Sequence, residues 1–463
     1  MNARRITLFF ATIIAALALI SFIFPEEGIT IGGHTCYFPS LKKLIESNQR
    51  VLKNVEESNF TPPTTIDTEL NDSIATYQAY LDSSDIRFWL PDSLYLDAFW
   101  DLAERAKGEG RTIRILHYGD SQIEADRLTA QLRSYMQKTF GGGGPGMIPA
   151  SITTPTAAFW VSGGNLTHLS SFGDSTVTRS NGNYGVMMQS FRMNGGTSIN
   201  IRASSDAKAD DAIKQFSQVR FVFHNKGKTL KATLSNNKLK YNDQQQAPSG
   251  VGSLFWTLDS AVNRVTLKAS GTADLYCITL DDGPGVAVDN IPMRGCSGQQ
   301  FSLVKEDLLS AAYGQLDVAM VIMEFGGNSV PYLKSGAAIS TYCRSIGKQI
   351  DHVHRCCPQA KILFIGPSDM STRHHGELQS YPDLPALIDS LIVTVNKHDA
   401  AYWSIYHAMG GWNTMVEWNR QGLAGSDYVH FTPKGAVIMG NRLAEAFDLS
   451  YRLFGMRRKL TIQ

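Results

Sequence analysis

The stretch "RTIRILHYGDSQIEADRLTAQLR", residues 111–133, decides the fold. Its apolar run "TIRILHY" reads as a buried strand, and it ends in Gly-Asp-Ser. An amphipathic pattern starts at once: Ile123, Leu128, Leu132, Tyr135, Met136 and Phe140 fall along one helical stripe. A serine, Ser121, is thus placed where a strand hands over to a helix. In open α/β sheets, ligands bind at the carboxyl ends of the strands. A helix start there would also favour a developing negative charge.

The same rhythm continues downstream. "GVAVDNI" (285–291), "LDVAMVIMEF" (316–325), "KILFIG" (361–366) and "YWSIYHAM" (402–409) read as further strands. Helical stretches near 299–312, 335–355, 383–398 and 433–447 separate them. Five strands alternating with helices predict a doubly wound parallel sheet. Between about 151 and 283 the rhythm stops. Short β-rich runs such as "TSINIRA", "QVRFVFH" and "NRVTLKA" alternate with turn residues there. They predict an all-β domain, a sandwich or jelly roll, inserted into the α/β domain.

A serine nucleophile needs a base, usually a histidine held by a carboxylate. "SDYVHFTPKGA" (426–436) offers Asp427 and His430, three residues apart just before a helix. One tight turn brings the carboxylate to one imidazole nitrogen and leaves the other for Ser121. An oxyanion needs further donors. "MEFGGNS" ends a buried strand and lets Asn328 project its amide. "RGCSGQQ" offers the backbone N–H of Gly298. Each piece also has a plain reading: Gly-Asp-Ser as a turn, Asp-x-x-His as a helix cap, Gly-Gly-Asn as a loop. Their joint occurrence at strand ends of one sheet is what points to a catalytic site.

On these blocks the chain resembles the SGNH (GDSL-type) hydrolases. "GDSQ" matches their nucleophile block at Ser121. "RGCSG" resembles their glycine block, with Gly298 as the match and Gly295 as competitor. "GGNS" matches their asparagine block at Asn328, with Ser329 in place of the usual aspartate. Asp427 and His430 match the last block. The resemblance covers about 86–150 and 284–450. It implies a five-stranded flavodoxin-like sheet and a Ser121–His430–Asp427 triad, with Ser121, Gly298 and Asn328 forming the oxyanion hole. It implies no cofactor and no metal.

The interrupted arrangement is similar to peptidoglycan O-acetylesterases with a carbohydrate-binding-like β-domain. The implied activity is a serine esterase removing O-acyl groups from an acylated glycan of the envelope or another source. The alternatives are an O-acetyltransferase serving an envelope polysaccharide beside a membrane-bound O-acyltransferase, and a non-catalytic glycan-binding protein. Gln122 and Trp412 are candidate substrate ligands, Trp412 by stacking on a sugar ring. The absence of a Gly-x-Ser-x-Gly elbow disfavours an ordinary α/β-hydrolase, and no apolar lid segment suggests a lipase. "FGGGGPG" (140–146) lacks the Lys-Ser/Thr of a phosphate loop. His117 reads as structural and "RHH" (373–375) as a solvated loop.

The remaining features bound the class. The chain has 463 residues, 43% hydrophobic and 18% charged, with a formal net charge of +1. No basic block suggests a nucleic-acid partner. The six cysteines show no C-x-x-C pair, and their redox state stays open between disulfides and buried thiols. "MNARR" precedes an uncharged 19-residue run at 6–24. That run reads as a membrane anchor, with a cleaved signal segment as rival. Either places the rest outside the cytoplasm, in the anchored case in the periplasm at the cytoplasmic membrane. The expected organisation is an anchor or signal segment at 1–30, a helical arm and Pro/Thr-rich linker at 31–85, the first α/β part at 86–150, the β insertion at 151–283, and the second α/β part at 284–463.

Overall fold

The computed structural model describes residues 29–31, 34–36 and 70–462, apart from 155, 175–176, 207–208, 228, 237–239, 248 and 375. The chain divides into two compact units, Met1–Pro62 and Pro63–Gln463. In the first, a hairpin pairs Ile29–Ile31 with His34–Cys36. Everything that follows belongs to the second.

The N-terminal anchor is the first expectation to be corrected. The run 6–24 lies outside the described residues, as does the arm up to residue 69. Among the described residues no helix is long and apolar enough to cross a membrane. The longest, Pro433–Ile462, has 30 residues. It carries Arg442, Glu445, Asp448, Arg452 and Arg457 along its length. The membrane-held periplasmic localisation therefore has no spanning helix behind it and is withdrawn.

The main sheet has six strands: β1 (Phe88–Trp89), β2 (Thr112–Gly119), β3 (Gly285–Pro292), β4 (Val318–Glu324), β5 (Lys361–Gly366) and β6 (Ala401–Ser404). Their order is β3-β2-β4-β5-β6-β1. The first five run parallel. The sixth, β1, is an antiparallel edge that the five-strand expectation lacked. Every residue of β4 is buried, as a strand covered on both faces must be. Helices Glu306–Tyr313, Gly336–Cys356 and Leu384–Lys397 make the crossovers from β3 to β6. The expected last strand is shorter than "YWSIYHAM": residues 405–409 turn into a helix, because the Ser404 hydroxyl caps it by accepting the His407 N–H.

The β-rich stretch forms a second, nine-stranded sheet joined by antiparallel pairing. It begins at Gly146–Ile148, which pairs with Leu280–Ile278, so it starts before the expected boundary at 151. All nine strands are linked in one hydrogen-bonded sheet. The 18-residue strand Arg264–Asp281 explains how. Its first part pairs with Leu230–Ser235, its last part with Phe216–Asn225, and the register shifts between Leu275 and Cys277. The sheet thereby curls around its own core, which includes Ile201, Phe221, Leu267 and Leu275.

The two sheets are locked by one buried cation. Arg114 of β2 donates Nε and an Nη to both oxygens of Asp289 on β3, at 2.8 and 2.7 Å. Its other Nη reaches Asp281, at the end of the long antiparallel strand, at 2.8 Å. Asp289 also accepts the Met147 N–H at 2.7 Å, and Thr279 donates to Asp281 at 2.8 Å. All three charged residues are buried. Arg114→Leu leaves two carboxylates buried without their cation. The expected loss is about 3–5 kcal/mol, the cost of breaking a buried pair from one side, read as a lower midpoint in urea unfolding. An unchanged midpoint would refute the lock.

Candidate active site

Strand β2 ends at Gly119, and Ser121 follows at the carboxyl edge of the sheet. The expected long helix does not start there. Ser121–Asp126 is a short 3-10 turn, broken at Glu124 (ψ 153°) and Ala125 (φ 58°). The α-helix runs only from Thr129 to Phe140. No α-helix terminus therefore supports Ser121.

The Asp-x-x-His segment meets Ser121 from the other side. Tyr428 adopts a left-handed backbone, φ 55°, which turns the loop tightly. One Asp427 oxygen accepts the N–H groups of Val429 and His430, at 3.0 and 3.1 Å. The other lies 2.7 Å from His430 Nδ1. His430 Nε2 lies 2.7 Å from Ser121 Oγ. Burial pushes the Asp427 carboxyl up, but the His430 ring and the two backbone N–H groups outweigh it and hold its pKa below the ordinary value.

Ser121, Gln122, Asn328 and His430 line one cavity of about 240 Å³. Its wall also contains Phe325 and Tyr332, the latter 79% exposed. Gly298 packs behind that wall: its φ is +82°, and an added Cβ would come 2.9 Å from Phe325 Cβ. Asn328 Nδ2 donates to Asp120 Oδ2 and to the Cys296 carbonyl, both at 3.0 Å. Both amide hydrogens expected for an oxyanion are thus engaged in this state.

Of the two candidate substrate ligands, Gln122 lines the cavity and Trp412 stands apart from it. Gln122 holds the histidine loop: its Nε2 donates to the Val429 carbonyl at 2.7 Å, and its Oε1 accepts the Phe431 N–H at 3.3 Å. Trp412 is 41% exposed and is not part of the cavity wall. Trp403 and Trp418 are core residues. His117 is buried between Glu324 and Thr129, at 2.9 and 3.0 Å. Cys277, Cys296, Cys343, Cys356 and Cys357 are free and buried. Among the described residues no group of three or more His, Cys, Asp or Glu could hold a metal.

Asp120 is the residue that the sequence reading passed over, although it stands inside the quoted Gly-Asp-Ser. Its Oδ1 accepts the Gln122 N–H at 2.9 Å. Burial, with Glu324 nearby, pushes its pKa up to about 7 against the hydrogen bonds from Gln122 and Asn328.

No family model matches the chain, and no curated protein matches it. Among solved structures, a peptidoglycan O-acetylesterase superposes with a TM-score of 0.64 at 22% identity, covering 80% of this chain and 99% of that one. The fold is that of this esterase, as the SGNH resemblance implies. Two family-two carbohydrate esterases also match. That from Cellvibrio japonicus gives a TM-score of 0.25 at 12% identity, over 66% of this chain and 98% of that one. That from Clostridium thermocellum, in complex with cellohexaose, gives 0.22 at 11%, over 61% and 98%. Those scores are too low to weigh.

Two outcomes are expected. Gln122→Ala should lower kcat roughly 10- to 100-fold, as sub-ångström misplacement of a catalytic group does, with KM unchanged. A KM effect alone, in steady-state kinetics, would make Gln122 a substrate ligand instead. Asp120 titrates near 3.9 when unfolded but at about 7 when folded. Between those values the folded state keeps a proton that the unfolded state has lost. Its contribution is therefore full below about pH 4 and is lost as pH rises through about 7. Asp369, raised to about 6, and Glu445, raised to about 7, slope the same way. Asp120→Asn should partly flatten the fall of urea-unfolding stability across that window; an unaltered slope would contradict the raised value.

Proposed function

We propose that the chain is an SGNH-type serine esterase that removes O-acyl groups, O-acetyl foremost, from a cell-envelope glycan. The observation that carries this is the continuous chain Ser121 Oγ–His430–Asp427, with both links at 2.7 Å, at the mouth of a cavity on the carboxyl edge of the sheet. The fold likeness to a peptidoglycan O-acetylesterase supports the choice of an envelope glycan.

Ser121 Oγ attacks the acyl carbonyl while His430 Nε2 takes its proton. Asp427 orients the ring and stabilises the imidazolium. The Ser121 N–H and the Asn328 amide hold the oxyanion, Asn328 by sharing a hydrogen now given to Asp120 or Cys296, whereas Gly298 stands off the cavity wall. Collapse breaks the ester bond, and His430 returns the proton to the leaving sugar hydroxyl. Water then attacks the acyl-enzyme with the same base and releases the carboxylic acid.

The openness of the base favours water as acceptor. The side chains of His430 and Asp427 are 36% and 51% exposed, whereas transfer to a sugar requires that water be kept out. No observation favours the transferase reading or a membrane acyltransferase partner. A purely glycan-binding shell would have no use for an aligned Ser–His–Asp chain.

Acetate release from a panel of O-acetylated glycans tests the reading. Ser121→Ala should lose nearly all turnover and keep only the roughly 10³–10⁴-fold advantage over water that binding and the oxyanion hole supply. Wild-type rates in that variant would overturn it.

A further inference from the structure

The solvent face of the nine-stranded sheet carries a second cleft, of about 330 Å³, that shares no residue with the catalytic cavity. Strand register builds it. Trp160 lies directly opposite Arg202, and Arg202 directly opposite Arg264. Such residues project from the same face of a sheet. Two positions along, Asn200 lies opposite Thr266, and Thr266 opposite Ser235. The intervening Val161, Ile201 and Val265 point the other way, into the core. One row is thus an aromatic and two guanidinium groups, and the next is an amide followed by two hydroxyls.

The electrostatics of this face are unbalanced. Like charges directly opposite each other on neighbouring strands are destabilising. Among the described residues, neither Arg202 nor Arg264 has a carboxylate partner. No Asp or Glu occurs in 159–163, 196–203, 230–235 or 264–270. Lys268, exposed on the same face of its strand as Arg264, adds a third cation. Trp160 is left 45% exposed, with the Arg202 guanidinium carbon 5.9 Å from its ring centroid. The Thr266 hydroxyl donates to Asn200 Oδ1 at 3.0 Å, and both residues line the cleft.

We propose that this cleft binds an acidic glycan chain. Guanidinium groups pair with sugar carboxylates in two-pronged hydrogen bonds. Trp160 supplies a flat face for a pyranose ring, and Asn200, Thr266 and Ser235 supply partners for its hydroxyls. The choice of a glycan over another polyanion rests on the esterase reading. The site would hold a polymer on the enzyme while the catalytic cavity works on its acyl groups.

The test is titration calorimetry on the full chain with oligogalacturonate, a neutral glucan oligomer of equal length and a single-stranded oligonucleotide. Oligogalacturonate should bind, more weakly as salt rises, and the other two should bind at least tenfold less. Trp160→Ala and Arg264→Gln should each weaken it by about tenfold or more, the loss of one charge-assisted or stacking contact. Both variants should keep wild-type hydrolysis of p-nitrophenyl acetate. Equal binding of the glucan, tighter binding of the oligonucleotide, or unchanged affinity in both variants would overturn the proposal. Failure of the esterase reading would show separately, as no p-nitrophenyl acetate hydrolysis by the wild-type chain.

Discussion

The buried Arg114 guanidinium is the constraint on which the architecture turns. It belongs to β2, the strand that delivers Ser121, and it is the shared cation of Asp289 and Asp281. A guanidinium cannot shed its proton to escape burial, so it must keep both carboxylates. Those carboxylates lie on β3 and at the end of the antiparallel sheet. The strand that leads to Ser121 and the junction between the sheets are therefore fixed by one set of hydrogen bonds. Moving the β-rich sheet relative to β2 would expose or unpair a charge in the interior.

The same economy appears at the site. The residues on either side of Ser121 hold the two other segments that the proposed chemistry needs. Gln122 ties down the histidine loop through Val429 and Phe431. Asp120 reaches the Asn328 amide. A nucleophile at a strand end has little of its own to fix distant loops. Asp120 caps the 3-10 turn and Gln122 lies within it, and each side chain reaches a different segment.

The alternation of fully buried strands with amphipathic helices made the parallel sheet legible, since apolar runs such as "VAMVIM" leave few other readings. Asp427 and His430 were legible because their geometry is local. What stayed hidden depends on tertiary context. Helical spacing from Ile123 onward concealed the kink at Glu124 and Ala125, whose backbone angles are set by packing. Phe88–Trp89 is a two-residue strand with no periodicity to detect. The curl of the antiparallel sheet depends on pairings far apart in sequence, and a strand's alternation does not name its partner. Gln122 lines the cavity as a candidate ligand would, and nothing local showed that its amide also holds the histidine loop.

The electrostatic character of the site follows from what lies beneath it. Asp120 and Glu324 are both buried under Ser121's end of the sheet, and one Glu324 oxygen has no hydrogen-bond partner among the described residues. Buried carboxylates without cations are costly and tend to be kept where they do something. In the proposed reaction, ionised carboxylates on that side would favour the His430 imidazolium that forms as Ser121 attacks. They would also oppose the oxyanion, so the oxyanion donors must carry more of the work. In the proposed mechanism Asn328, hydrogen-bonded to Asp120, is where those opposing demands meet: protonation of Asp120 would weaken its claim on the amide and free that amide for the substrate.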